Sequence, residues 1–111
     1  MSTPKLNRKL VLEELSRVPD GMGGFAESWV SKGVVWANLE ARGSVERQVG
    51  ARTLPVVKYR ILTRAAPFGA DSRPRPDQRF REEGRSFDIL AVGDYGENAQ
   101  YLEIWAEEGR Q

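Results

Sequence analysis

Residues 56–64, VVKYRILTR, carry the cleanest pattern in the chain. Val57, Tyr59, Ile61 and Thr63 alternate with Lys58, Arg60 and Arg64. Period two in β-branched and aromatic residues is the signature of a half-buried strand. The alternation recurs along the sequence. KLVLEELSRV sets Leu10 and Leu12 on one face before a less regular continuation to Val18. GFAESWV sets Phe25, Glu27 and Trp29 against Ala26, Ser28 and Val30. VVWANLEA sets Val35, Ala37, Leu39 and Ala41 against Val34, Trp36, Asn38 and Glu40. RSFDILAV opposes Phe87, Ile89 and Ala91 to Ser86, Asp88 and Leu90, and QYLEIWAEE opposes Leu102, Ile104 and Ala106 to Tyr101, Glu103 and Trp105. A short strand around Phe80 is expected before a turn at Gly84-Arg85. No segment has a sustained 3.6-residue stripe. Residues 43–50 could form one or two helical turns with Ser44 as cap, but their glycines oppose it. The pattern predicts an all-β fold, a small β-barrel of about six to seven antiparallel strands with two long loops. The whole chain, residues 1–111, is expected to form one domain.

The two expected loops are residues 42–55, RGSVERQVGARTLP, and 65–77, AAPFGADSRPRPD. Connections of that length in a compact domain are usually functional or disordered. Residues 42–54 read as a mobile loop with Glu46, Arg47 and Gln48 near its tip. The stretch RVPDGMGGFAESWV raises the question of a phosphate-binding loop. A dinucleotide fingerprint needs a third glycine where Ala26 stands, and a helix after it, whereas a strand pattern follows. Asp20, Gly21, Gly23 and Gly24 therefore read as a hairpin turn, in which glycine supplies positive φ.

The chain has no Cys and no His. That excludes disulfides, thiolate nucleophiles, Ser-His-Asp triads and nearly all zinc sites. Glu82-Glu83 and Glu107-Glu108 are adjacent carboxylates, and neighbours in a strand point to opposite faces. Asp88 and Glu103 become cross-strand neighbours if the last two long strands pair. No catalytic, cofactor-binding or metal-binding residue is assigned, and the chain is not expected to be an enzyme. Net charge is +1 but unevenly spread. Arg42, Arg47, Arg52, Lys58, Arg60 and Arg64 outweigh Glu46 in the middle, while Asp94, Glu97, Glu103, Glu107 and Glu108 outweigh Arg110 at the end. Such a chain can associate with its own copies or with two different neighbours; two solvated faces are the plain alternative. No apolar run reaches the length of a spanning helix, and MSTPKLNRKL lacks the hydrophobic stretch of a signal peptide. A cytoplasmic protein with no membrane partner is expected.

The order LNRKLVLEE, DGMGGFAESWV, GVVWANLEARGS, ARTLPVVKYRILTR, GRSFDILAVGD, YLEIWAEE resembles the head-tail joining proteins of tailed phages and gene transfer agents, also called head closure proteins or stoppers. The matching positions are Asp20, Gly23, Gly24 and Trp29; Trp36, Ala37 and Leu39; Arg64; and Gly84, Arg85, Phe87 and Ile89. The resemblance covers nearly the whole chain and implies a non-enzymatic ring subunit. That ring would lie between the portal or adaptor protein on the head side and a tail terminator or tail protein on the other. It would touch double-stranded DNA transiently, retain it and let it pass. The resemblance places the subunit in the cytoplasm during assembly and then at the head-tail interface of the particle. Arg42, Glu46, Arg47, Gln48 and Arg52 would form its channel or partner loop. From a different class comes a small-barrel nucleic-acid-binding module, with Arg52, Lys58, Arg60 and Arg64 as a phosphate track and Tyr59 or Trp36 for stacking.

Overall fold

A computed structural model describes residues 3–109. Six antiparallel strands close into one barrel in the order β1-β2-β3-β6-β5-β4. They are β1 (Arg8–Pro19), β2 (Phe25–Val49), β3 (Arg52–Arg64), β4 (Arg79–Glu82), β5 (Arg85–Tyr95) and β6 (Tyr101–Glu108). Among the described residues there is no helix: residues 43–49, expected as loop or one or two helical turns, are strand, and Gly50 opens a turn. The four-residue β4 closes the barrel by pairing with β1 on one side and β5 on the other.

The core is the set of inward positions that the alternation marks. Leu10, Leu12, Ala37, Ile61, Phe80, Phe87, Ile89, Leu102, Ile104 and Ala106 pack as one buried cluster, with Val35, Leu39, Tyr59 and Val92 against it. In β5 the register shifts between Ile89 and Ala91. A bulge reverses facing for the residues after it, so Val92 takes the core position expected of Ala91.

The largest departure from expectation is β2. GFAESWV and VVWANLEA, expected as two strands, are one strand of 25 residues that also absorbs the expected loop up to Val49. Laid straight at about 3.3 Å per residue it would span ~80 Å, yet the longest dimension of the molecule is 53 Å. The strand bends at two irregularities. Leu12 faces Gly33 but Glu13 faces Ser31, which leaves Lys32 bulged. Ala41 faces Tyr59 but Ser44 faces Val57, which leaves Arg42-Gly43 opposite Lys58 alone.

Pairing beyond the barrel wall makes two arms. Past Glu13, β1 pairs only with β2, out to Pro19 and Phe25. Past Lys58, β3 pairs only with β2, out to Arg52 and Val49. Because β2 runs through both ribbons, the arms leave from opposite ends of the barrel. The radius of gyration, 15.4 Å, exceeds the about 13 Å of a compact chain this long, as two protruding ribbons require.

Candidate interaction site

The segment expected as a loop over residues 42–54 is the β2–β3 arm, a correction with a plain physical cause. A two-stranded ribbon standing clear of the core exposes both faces, so nothing selects for alternation in its sequence. The arm ends in the two-residue turn Gly50-Ala51, with Val49 paired to Arg52. Glu46, Arg47 and Gln48 therefore lie along the shaft, facing Pro55, Leu54 and Thr53, and the tip is Gly50-Ala51. Gln48 accepts a hydrogen bond from the Thr53 hydroxyl at 3.3 Å. Arg42 sits in the bulge, 3.5 Å from the Glu40 carboxylate. Arg47 leaves the arm altogether. Its guanidinium makes a two-pronged contact with Glu107 of β6, Nε donating at 3.1 Å and the second nitrogen also in contact. Glu107 is only 9% exposed. The pair ties the arm back to the barrel wall.

The β1–β2 connection is a tight turn. Asp20 accepts hydrogen bonds on Oδ1 from the backbone N–H groups of Met22, at 2.8 Å, and Gly24, at 3.1 Å. Its own N–H donates to the Gly24 carbonyl at 3.1 Å. Gly21 and Gly23 hold φ of 81° and 85°, where a side chain is strained. Around this turn Met22 is 89% exposed and Phe25 64%, and Val18 and Val30 also face solvent.

The basic middle and the acidic end of the sequence come together within the molecule, because β3 and β6 are neighbours. Arg60 donates to Glu103 at 2.6 Å and to Glu40 at 3.3 Å, and its guanidinium lies 4.7 Å from the Tyr95 ring centre. With Arg47 on Glu107, two cations and two anions that could have served two separate surfaces instead hold the barrel together. The last two strands do pair, but their register sets Asp88 opposite Glu107 and Gly93 opposite Glu103, so Asp88 and Glu103 are not partners. Partial burial holds the Asp88 carboxyl above its ordinary range; Arg79 works against that and Glu107 adds to it. One barrel end is sealed by Arg85, which donates to the Tyr59 hydroxyl at 2.8 Å and to Glu108 at 3.0 Å, while Tyr59 meets Phe87 edge-on at 5.1 Å.

The expected loop at 65–77 is irregular. Arg73 stacks on Phe68 at 3.9 Å and donates to the Ala66 carbonyl, and Pro74 is buried. The loop borders a cavity of about 200 Å³ reached by Lys32, whose ammonium lies 3.6 Å from Glu14 and 3.9 Å from Asp71. Sequence reasoning missed a further surface on the outer wall. The register Trp36 to Lys9, Val34 to Val11 and Val11 to Arg81 lays a mixed apolar and basic strip across β2, β1 and β4. Alternation sets Val34 and Trp36 on one face of their strand, without saying what lies beside them. The strip depends on β4 joining β1, a contact between distant parts of the sequence.

Fold and surface together define a closed antiparallel β-barrel with exposed apolar side chains on both hairpin arms, on the β2 wall and, at Phe68 and Leu90, in the 65–77 loop and on β5. The chain belongs to the phage head completion protein family, whose description matches residues 1–109. It is 49% identical to a chain in a solved structure of the virion of a native gene transfer agent (GTA) particle; the match covers 96% of this chain and 98% of that one, with a TM-score of 0.83. A Shigella flexneri 2a protein solved in solution shares the fold, at 18% identity over 98% of this chain and 97% of its own, with a TM-score of 0.66. No curated protein matches. The family seen in the order of the sequence motifs is thereby shown.

Proposed function

We propose that this chain is a structural head closure subunit. Copies form a ring between the portal or adaptor protein and the tail of a gene transfer agent or phage particle, and the ring helps retain DNA and let it pass. The observation that carries this reading is the 49% identity, over nearly the full length of both chains, to a component of a GTA virion. The shape supports it. A subunit that joins two unlike structures needs two unlike ends, and β2 carries one arm out of each. In this reading Arg42, Glu46, Gln48 and Arg52 present the β2–β3 arm to the channel or to the adjoining ring, while Arg47 anchors it to Glu107. The subunit is made in the cytoplasm and ends at the head-tail interface, and no step calls for catalysis.

The test is to produce particles without this chain and to image them beside complete ones. Expected are DNA-filled heads that lack tails or lose their DNA, and loss of one ring of density where head meets tail. Tailed, DNA-filled particles in its absence would overturn the proposal.

A further inference from the structure

The outer wall and the β1–β2 arm are complementary to each other. On the wall, Trp36 is 54% and Val34 51% exposed. Both line a groove of about 220 Å³ that also contains Arg64, Ala66 and Ser72. A cavity of about 150 Å³ is enough to hold a benzene ring, so the groove has room for one large side chain. Arg64, which lines it, makes no ion pair with any described residue. The arm has the opposite character. Met22 stands free at its end and Phe25 is 64% exposed, with the Arg17 guanidinium 5.6 Å from its ring centre; beside them the Asp20 carboxylate contacts backbone N–H groups. Arg17 and Glu27, the next charges along the arm, neutralise each other at 3.1 Å.

An arm cannot reach its own groove. Phe25 and Val34 belong to the same strand, separated by nine residues that would span at most roughly 30 Å laid straight, and the paired ribbon of β1 and β2 does not fold back on itself. A contact between two different patches of one chain is heterologous, and repetition of it closes a ring where the rotation allows.

Resting on the ring reading above, we propose that the β1–β2 arm of one copy seats Phe25 in the groove beside Trp36 of the next copy, with Met22 at the groove's rim and Asp20 facing Arg64. The apolar tip supplies the buried area, and the charge pair fixes which way the arm lies.

The absence of cysteine makes the contact directly testable. The full chain carrying Met22→Cys and Ser72→Cys is assembled into particles, treated with a short bismaleimide and run on a denaturing gel. Expected is a ladder of multimers of this chain from the double variant and none from either single variant. In parallel, Asp20→Arg and Arg64→Asp are each expected to lower incorporation into particles by about tenfold, with recovery in the double charge swap. A ring visible in images, with no ladder and no recovery, overturns this contact and leaves the ring reading standing. Cross-linking of the cysteine at position 22 to another particle protein likewise overturns the contact alone. Images of particles that contain the chain without a ring overturn both.

Discussion

Two aromatic residues show how far position outweighs residue type. Phe80 is fully buried in β4, the short strand that closes the barrel, whereas Trp36 stands half-free on the wall. Phe80→Ala is expected to destabilise the fold by about 3–5 kcal/mol, through lost burial and the cavity left behind. Trp36→Ala should stay within about 0.5 kcal/mol, as for other exposed sites. Urea unfolding of both variants measures the contrast; equal midpoints would refute the placement of β4. A second residue-scale prediction concerns acid. Arg8 donates to Glu82 at 2.7 Å and holds its carboxyl below the ordinary 4.5. A depressed carboxylate contributes stability that is present above its unfolded value and lost as pH falls through its folded one. Asp88 runs the other way. Its raised value means the folded state binds the proton more tightly, so its contribution fades as pH rises through that value, above 3.8. Arg8→Met should therefore flatten the stability loss below about pH 4.5. Asp88→Asn should raise the melting temperature slightly at pH 7 and leave it nearly unchanged at pH 3. Melting curves across that range check both, and a steeper acid loss in Arg8→Met would contradict the first.

At the scale of the element, legibility in the sequence follows what each strand packs against. In β3, β5 and β6, one face meets the core for most of the strand, and the inward residues Ile61, Phe87, Ile89, Leu102, Ile104 and Ala106 could be read from alternation. The long β2 could not be read as one strand. Its bulge at Lys32, next to Gly33, looks like a break, and its last residues form an arm with no core to face. The Arg47–Glu107 contact was equally hidden, since it needs β6 beside β3 and a ribbon that bends toward it. That contact predicts local behaviour. Arg47→Ala should leave the barrel amides protected while hydrogen exchange rises along Ser44–Val57, because a lone two-stranded ribbon is marginal in water. Unchanged exchange in the arm would show that the ladder alone orders it. Removing residues 44–57 and closing the gap with Asn-Gly goes further. No member of the buried cluster lies in that span, so the barrel should fold with its core intact. Under the proposed function, particles built with the shortened chain leak DNA or fail to take tails. Fully transfer-competent particles would show that the arm is dispensable.

For the whole molecule, charge decides between a ring component and a free nucleic-acid binder. The binder needs Arg52, Lys58, Arg60 and Arg64 as a continuous track, and the fold breaks it. Arg60 is committed to Glu103, Glu40 and the Tyr95 ring. Arg52 and Arg64 sit at opposite ends of β3, roughly 40 Å apart for a straight strand. Tyr59, one of the two stacking candidates, packs against Phe87 under Arg85. The net charge of +1 adds no general attraction to a polyanion. Affinity for duplex DNA scales with the number of phosphates neutralised, with a logarithmic salt slope of about −0.9 for each. Lys58 with one flanking arginine allows about two contacts, so the isolated subunit should show a slope near −2 and a dissociation constant weaker than about 10⁻⁴ M at physiological salt. A true track of six or more contacts would lose at least about a thousandfold in affinity between 50 and 200 mM salt. Fluorescence anisotropy with a labelled duplex across that salt range measures the slope. Under the proposed function a shallow slope is the expected result, since a ring through which DNA passes needs only weak contact on each copy. A slope of about −4 or steeper would mean that the wall basic residues Lys9 and Arg81 join Arg64, Lys58 and Arg52 in contacting phosphates, and would favour the nucleic-acid-binding module over the ring component.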